Sequence, residues 1–175
     1  RGFIGSTVDN IVYCVDAASG KPLWTFPTDG PIRLAPTLAF GHVYFGSDDG
    51  SVYCVSQNDG QVVWSMRVGP KDDRLLARGE MISRWPVRTG VLIDGETAYF
   101  GAGVFPHELI SMVAADAQTG EIIWRNDTIS QQNAGRNDLS PQGYLLANDT
   151  TLFVPSGRSL PVALSRETGD IVFQR

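Results

Sequence analysis

The chain is short of the residues from which most active sites are built. Its 175 residues include two cysteines, Cys14 and Cys54, and two histidines, His42 and His107. A structural zinc site takes four Cys or His ligands at close spacing, and neither histidine has a carboxylate at ligand spacing, so no metal motif is present. Cys14 and Cys54 lie in alternating apolar stretches, where a free thiol behaves as a small hydrophobe. Both are therefore read as core residues, and both histidines as loop residues. No apolar run is long enough to cross a bilayer. Positive charge is not in excess either. Fourteen Lys and Arg against 19 Asp and Glu give a net charge of −5, which excludes a general binder of nucleic-acid backbones. The acidic residues are scattered, which excludes a solvating tail. There is no initiator methionine or leader, and Gly2-Phe3-Ile4-Gly5-Ser6 reads as half of a strand. Both ends are thus expected to be cut from something longer.

What the chain does have is turn residues, 19 glycines and 10 prolines spread evenly, and a repeat. The segment Val12-Tyr13-Cys14-Val15-Asp16-Ala17-Ala18-Ser19-Gly20-Lys21-Pro22-Leu23-Trp24 returns at 52–64, 112–124 and 161–173. Its pivotal glycines are Gly20, Gly60, Gly120 and Gly169, giving periods of 40, 60 and 49 residues. A repeat of that length with several strands per copy specifies a β-propeller. In each copy an alternating strand enters a tight turn and a second strand leaves it. Asp16 and Asp116 are placed to accept hydrogen bonds from the backbone of the turns they open. The glycines supply the positive φ that such turns need. Trp24, Trp64 and Trp124, with Phe173 in the fourth copy, share one parity and are expected to face the neighbouring blade.

Two further strands precede each turn, so a full blade has four strands. The expected units are a partial blade over 1–29, a blade over 30–69 followed by an insertion over 70–84, and blades over 85–128 and 138–175. The fold class is all-β, an incomplete propeller of about four antiparallel blades. The insertion departs most from the repeat. A short helical turn over 71–81 and a role capping the channel are expected of it, since long loops on a rigid scaffold are free to vary.

The turn signature is similar to the pyrroloquinoline-quinone (PQQ) type of propeller repeat, Ala-x-Asp-x-x-Thr-Gly-x-x-x-Trp. Asp116, Thr119, Gly120 and Trp124 carry the third copy, and Asp16, Ser19, Gly20 and Trp24 the first. The second departs at Ser56 and the fourth at Ser165 and Phe173. The resemblance covers the whole chain. It implies a ring of seven or eight blades, hence further blades beyond these, and a place in the periplasm or otherwise outside the cytoplasm. The superfamily so resembled holds three kinds of protein, one of them without an assigned activity. Quinoprotein alcohol and sugar dehydrogenases hold PQQ and Ca²⁺ at the channel mouth under a pair of adjacent, disulfide-bonded cysteines. Outer-membrane assembly lipoproteins use the same propeller as a docking scaffold without a cofactor. Cys14 and Cys54 are not adjacent, which favours the scaffold.

No catalytic constellation or metal site is assigned. The candidate binding residues are Arg33, Arg88 and Gln142, each just before or within the innermost strand of its blade, and Arg158 in the Pro155-Ser156-Gly157-Arg158 loop. Such donors at a channel rim suit a quinone cofactor, another anion, or a partner protein. Trp85 is a candidate platform for a sugar or polymer, with packing at a blade seam as the alternative. The sequons at Asn126 and Asn148 matter only in a secreted eukaryotic protein.

Overall fold

The computed structural model describes residues 1–77, 79–105, 107–129, 139–157 and 159–173, and the backbone but not the side chain of Phe173. Every sheet is antiparallel and strands follow one another in chain order. The first blade has three strands, β1 (Gly2–Gly5), β2 (Ile11–Val15) and β3 (Pro22–Pro27). The second has four, β4 (Thr37–Ala39), β5 (His42–Gly46), β6 (Ser51–Ser56) and β7 (Val62–Arg67). A separate hairpin follows, β8 (Arg74–Ala77) and β9 (Glu80–Ser83). The third blade contains β10 (Leu92–Asp94), β11 (Thr97–Ala102), β12 (Ser111–Asp116) and β13 (Ile122–Asn126). The fourth contains β14 (Leu146–Ala147), β15 (Thr151–Val154), β16 (Val162–Ser165) and β17 (Ile171–Phe173). The ring is not closed by these blades. Among the described residues no helix is long and apolar enough to cross a membrane.

The repeat acts as a hinge in each blade. The register slips by one at Cys14/Val15, Cys54/Val55, Ala114/Ala115 and Ala163/Leu164, the same point in all four copies. This bulge adds twist just before the turn. Asp16 Oδ1 accepts from the N–H groups of Ala18 and Ser19 and from Ser19 Oγ, and Asp116 Oδ1 does the same with Gln118 and Thr119. Both carboxyls are held below their ordinary range by these bonds, led for Asp16 by the Ser19 hydroxyl and for Asp116 by the Thr119 backbone N–H. Where serine replaces the opening aspartate, an acid moves downstream. Asp59 Oδ1 accepts from the Gln61 N–H (3.2 Å) in the second turn, and Asp170 accepts from the Thr168 hydroxyl (2.7 Å) in the fourth.

The blades meet through three apolar layers. Alternation sends Val43, Phe45 and Val55 towards the first blade and Tyr44, Cys54 and Trp64 towards the third. Tyr99, Met112, Ala114 and Trp124 then meet Leu152, Val154 and Leu164 of the fourth. Each of the three repeat tryptophans donates its indole N–H to a carbonyl in the next blade's turn, Trp24 to Gln57 (3.2 Å), Trp64 to Ala117 (2.9 Å) and Trp124 to Arg166 (2.7 Å). Its ring lies against that turn's glycine. A Cβ added to Gly60, Gly120 or Gly169 would come within 2.8, 2.8 or 2.5 Å of Trp24, Trp64 or Trp124 respectively. Cys14 and Cys54 are free and buried, each paired across the strands with its blade's tryptophan. Burial pushes the Cys54 thiol up to about 12.

Two local expectations change. Among the described residues of 71–81 there is no helical turn: Leu75 pairs with Ile82 and Leu76 with Met81 across a reversal at Gly79, whose φ is +85°. His42 opens β5 rather than sitting in a turn.

Candidate functional site

Three of the sequence-derived candidates stand at equivalent places. Arg33, Arg88 and Gln142 each precede the first strand of their blade by four residues, those strands beginning at Thr37, Leu92 and Leu146. These approach segments lie side by side. Thr37 Oγ1 donates to Val91 O (2.6 Å), and Thr89 and Gly143 form a parallel bridge. The three side chains therefore reach one concavity of about 380 Å³, lined also by Leu75, Ala77, Ile82, Val104 and Phe105. Arg158 lies outside the described residues.

At its base is a residue the sequence reading passed over. Asp48, in the Ser47-Asp48-Asp49-Gly50 loop between β5 and β6, is fully buried. Arg33 donates Nε to its Oδ2 (2.6 Å), and Arg88 donates Nε to Oδ1 and Nη2 to Oδ2 (both 3.0 Å). One carboxylate thus holds two guanidinium groups from successive blades, each partly open to solvent. Burying a charge is costly unless it is paired and hydrogen-bonded, and here both oxygens are satisfied.

The loop is fixed from all sides. Asp48 N–H donates to Pro31 O (2.9 Å), and Ser47 Oγ to Gly30 O (3.0 Å). Asp49 accepts from Ser51 N–H (2.8 Å) and from the Tyr53 hydroxyl (2.8 Å). Burial, and then the Asp49 charge, pushes the Tyr53 phenol well above its ordinary range. Gly30 is required by close approach, since a Cβ there would sit 2.6 Å from Asp49 N. These contacts cross from one approach segment to another and leave no periodic trace. In the sequence, Ser-Asp-Asp-Gly reads only as a hairpin turn.

The β8–β9 hairpin forms one wall. Alternation turns Leu75, Ala77 and Ile82 to the concavity and leaves Leu76 and Met81 exposed on the other face. Its base is tied down by Ser83 N–H to Asp48 O (2.7 Å) and by Arg84, which bonds Asp73 (3.1 Å) and Glu108 (2.9 Å). Those bonds, Glu108 foremost, raise the Arg84 pKa further. Gln142 donates Nε2 to Ser140 Oγ (2.7 Å), which in turn donates to Val104 O (2.9 Å).

The remaining sequence candidates do not join this site. Trp85 is 5% exposed and packs in the layer between the second and third blades, so it offers no surface platform. Cys14 and Cys54 belong to different blades. Among the described residues the concavity does not fit calcium: the ion takes about six or more oxygen ligands, and the one carboxylate described here already faces two guanidinium groups. PQQ, a polycarboxylate, finds two cations in the lining but also that carboxylate.

A family model described as outer membrane protein assembly factor BamB matches residues 2–136. A quinone-dependent alcohol dehydrogenase, dehydrogenase subunit, from Gluconobacter oxydans is 33% identical over 129 residues, which is 66% of this chain and 16% of that protein. The chain thus spans a small part of the length of that relative. Among solved structures, BamB from Moraxella catarrhalis superposes with a TM-score of 0.70 at 18% identity, over 98% of this chain and 48% of that one. The quinohemoprotein alcohol dehydrogenase ADHIIG from Pseudomonas putida HK5 gives 0.73 at 16% identity, over 98% and 32%. At these identities the structural matches establish the propeller fold.

Proposed function

The chain belongs to the PQQ_2 family of propeller repeats, the family described as outer membrane protein assembly factor BamB, and we propose that it serves as a binding scaffold outside the cytoplasm. One observation carries the reading. The arginines that face the concavity are engaged by the chain's own buried Asp48, which presets their guanidinium groups for recognition and leaves neither of its own oxygens free of them. The partner met there is a protein segment or a small molecule. The β8–β9 hairpin, with Leu76 70% and Met81 51% exposed, adds apolar contact surface beside the opening.

A second reading is favoured by the 33% identity to a quinone-dependent alcohol dehydrogenase subunit: these blades form part of a PQQ- and Ca²⁺-dependent oxidoreductase whose cofactor is held largely by other blades. In that case the chain's own part is to shape the channel wall and to place Arg33, Arg88 and Gln142 near it; PQQ would supply the redox chemistry.

Titration of the intact protein with PQQ, with and without Ca²⁺, by absorbance and calorimetry separates the two. No saturable binding at high micromolar PQQ is the result expected of the scaffold. Stoichiometric binding that depends on Ca²⁺ would replace it with the oxidoreductase.

A further inference from the structure

We infer that the concavity between Arg33, Arg88 and Gln142 is a site for a single carboxylate joined to an apolar body; the inference rests on the reading of the chain as a binding scaffold. Among the described residues the lining contains two guanidinium groups and no other charged side chain, and the one carboxylate at ion-pair distance is Asp48 beneath them. Two positive charges and one negative leave the site with one positive charge unmatched.

The free hydrogen-bonding atoms point to the same chemistry. Asp48 takes Nε of Arg33 and Nε and Nη2 of Arg88. Among the described residues, Nη1 and Nη2 of Arg33 and Nη1 of Arg88 have no hydrogen-bond partner. Asp48 therefore grips both guanidinium groups and leaves N–H donors over. A planar guanidinium fixed in this way loses little rotamer freedom when it meets a second carboxylate, and the match of fork to carboxylate favours that anion over a point-like one. Gln142 spends an amide N–H on Ser140, which leaves Oε1 as an acceptor for a hydroxyl or amide N–H on the same ligand.

The rest of the described lining is apolar: Leu75, Ala77 and Ile82 from the hairpin, Val104 and Phe105 from the loop after β11. Phe105 is 41% exposed, so its ring is available for contact. A volume of about 380 Å³ lies at the small end of the roughly 300–1,000 Å³ usual for small-molecule sites. A monocarboxylate with a short aliphatic or aromatic body satisfies both halves of the site. A dianion would leave one charge uncompensated.

The test is calorimetric titration of the intact protein with hexanoate, with its neutral analogue hexanamide, and with the dianion adipate. Hexanoate is expected to bind saturably, to weaken as salt is raised, and to bind about tenfold or more tighter than hexanamide, the factor one charged hydrogen bond supplies. Arg33→Gln should weaken hexanoate about tenfold and leave hexanamide unchanged, with Asp48 still held by Arg88. Asp48→Asn is nearly isosteric and removes the internal anion, so it should turn the preference from hexanoate towards adipate. A merely structural role for Asp48 predicts no such reversal. Equal binding of hexanoate and hexanamide, or no effect of Arg33→Gln in a folded variant, overturns the inference. So does failure of all three acids and amides to bind, which leaves the scaffold reading standing if PQQ also fails. Calcium-dependent PQQ binding overturns the scaffold reading itself.

Discussion

Gly20 and Gly120 have nearly the same backbone angle, φ of +70° and +75°, in very different surroundings. No atom lies within 4 Å of a Cβ built on Gly20, whereas one on Gly120 would meet Trp64 at 2.8 Å. The pair separates two demands made on one residue type, left-handed backbone and close approach. Gly20→Ala should cost only the backbone strain, about 1–2 kcal/mol. Gly120→Ala adds overpacking against the indole, typically about 1–3 kcal/mol more. Denaturant unfolding of the two variants measures the difference. Equal costs would mean that the seam relaxes freely around the added methyl. The repeat was legible in the sequence because these glycines and tryptophans recur in register. Their direct contact was not, because a residue's turn and the indole it supports belong to different copies.

At the scale of the turn, charge decides. The carboxyls of Asp16, Asp59 and Asp116 are all held below their ordinary value by hydroxyl and backbone donors in their own turns. A carboxyl whose folded-state pKa lies below its unfolded value of about 3.9 stabilises the fold above that value and stops doing so as pH falls through the folded pKa. Stability contributed by these turns should therefore be level from neutral pH down to about 5 and fall away below about 4. Asp116→Asn should flatten that acid limb, as read from thermal midpoints measured across the range. An acid limb of unchanged slope would assign it to other groups. Elements were read with uneven success for related reasons. Strands bearing the repeat were plain. The sequence of the β8–β9 hairpin suggests a helical turn, because its four-residue strands give too short an alternation to outweigh the mixed charges around it.

Across the whole molecule, the blades contact mainly their sequence neighbours, through one apolar layer at each seam. Stability in such stacks is approximately a sum of unit and neighbour terms. Gly60→Ala, at the first seam, and Gly169→Ala, at the third, should therefore add to within about 0.5 kcal/mol, while Gly120→Ala combined with Trp64→Leu, which share a contact, should not. A double-mutant cycle in denaturant checks both. The candidate site shows the limit of reading along a chain. Three equivalent positions, Arg33, Arg88 and Gln142, were visible from their offset to a strand. Asp48 was not, because its meaning lies in Arg33 and in Arg88, the latter 40 residues away.

The seam has one more implication, for how such a chain grows. The first three copies each bring an indole on the outgoing side, and the last three each bring, on the incoming side, a glycine turn with an open carbonyl shaped to receive one. A tandem duplication therefore arrives with a working joint already made, and no new surface has to be invented before the longer array can fold. Selection on blade number then acts on whether the circle shuts, since every join along the way is inherited ready-made.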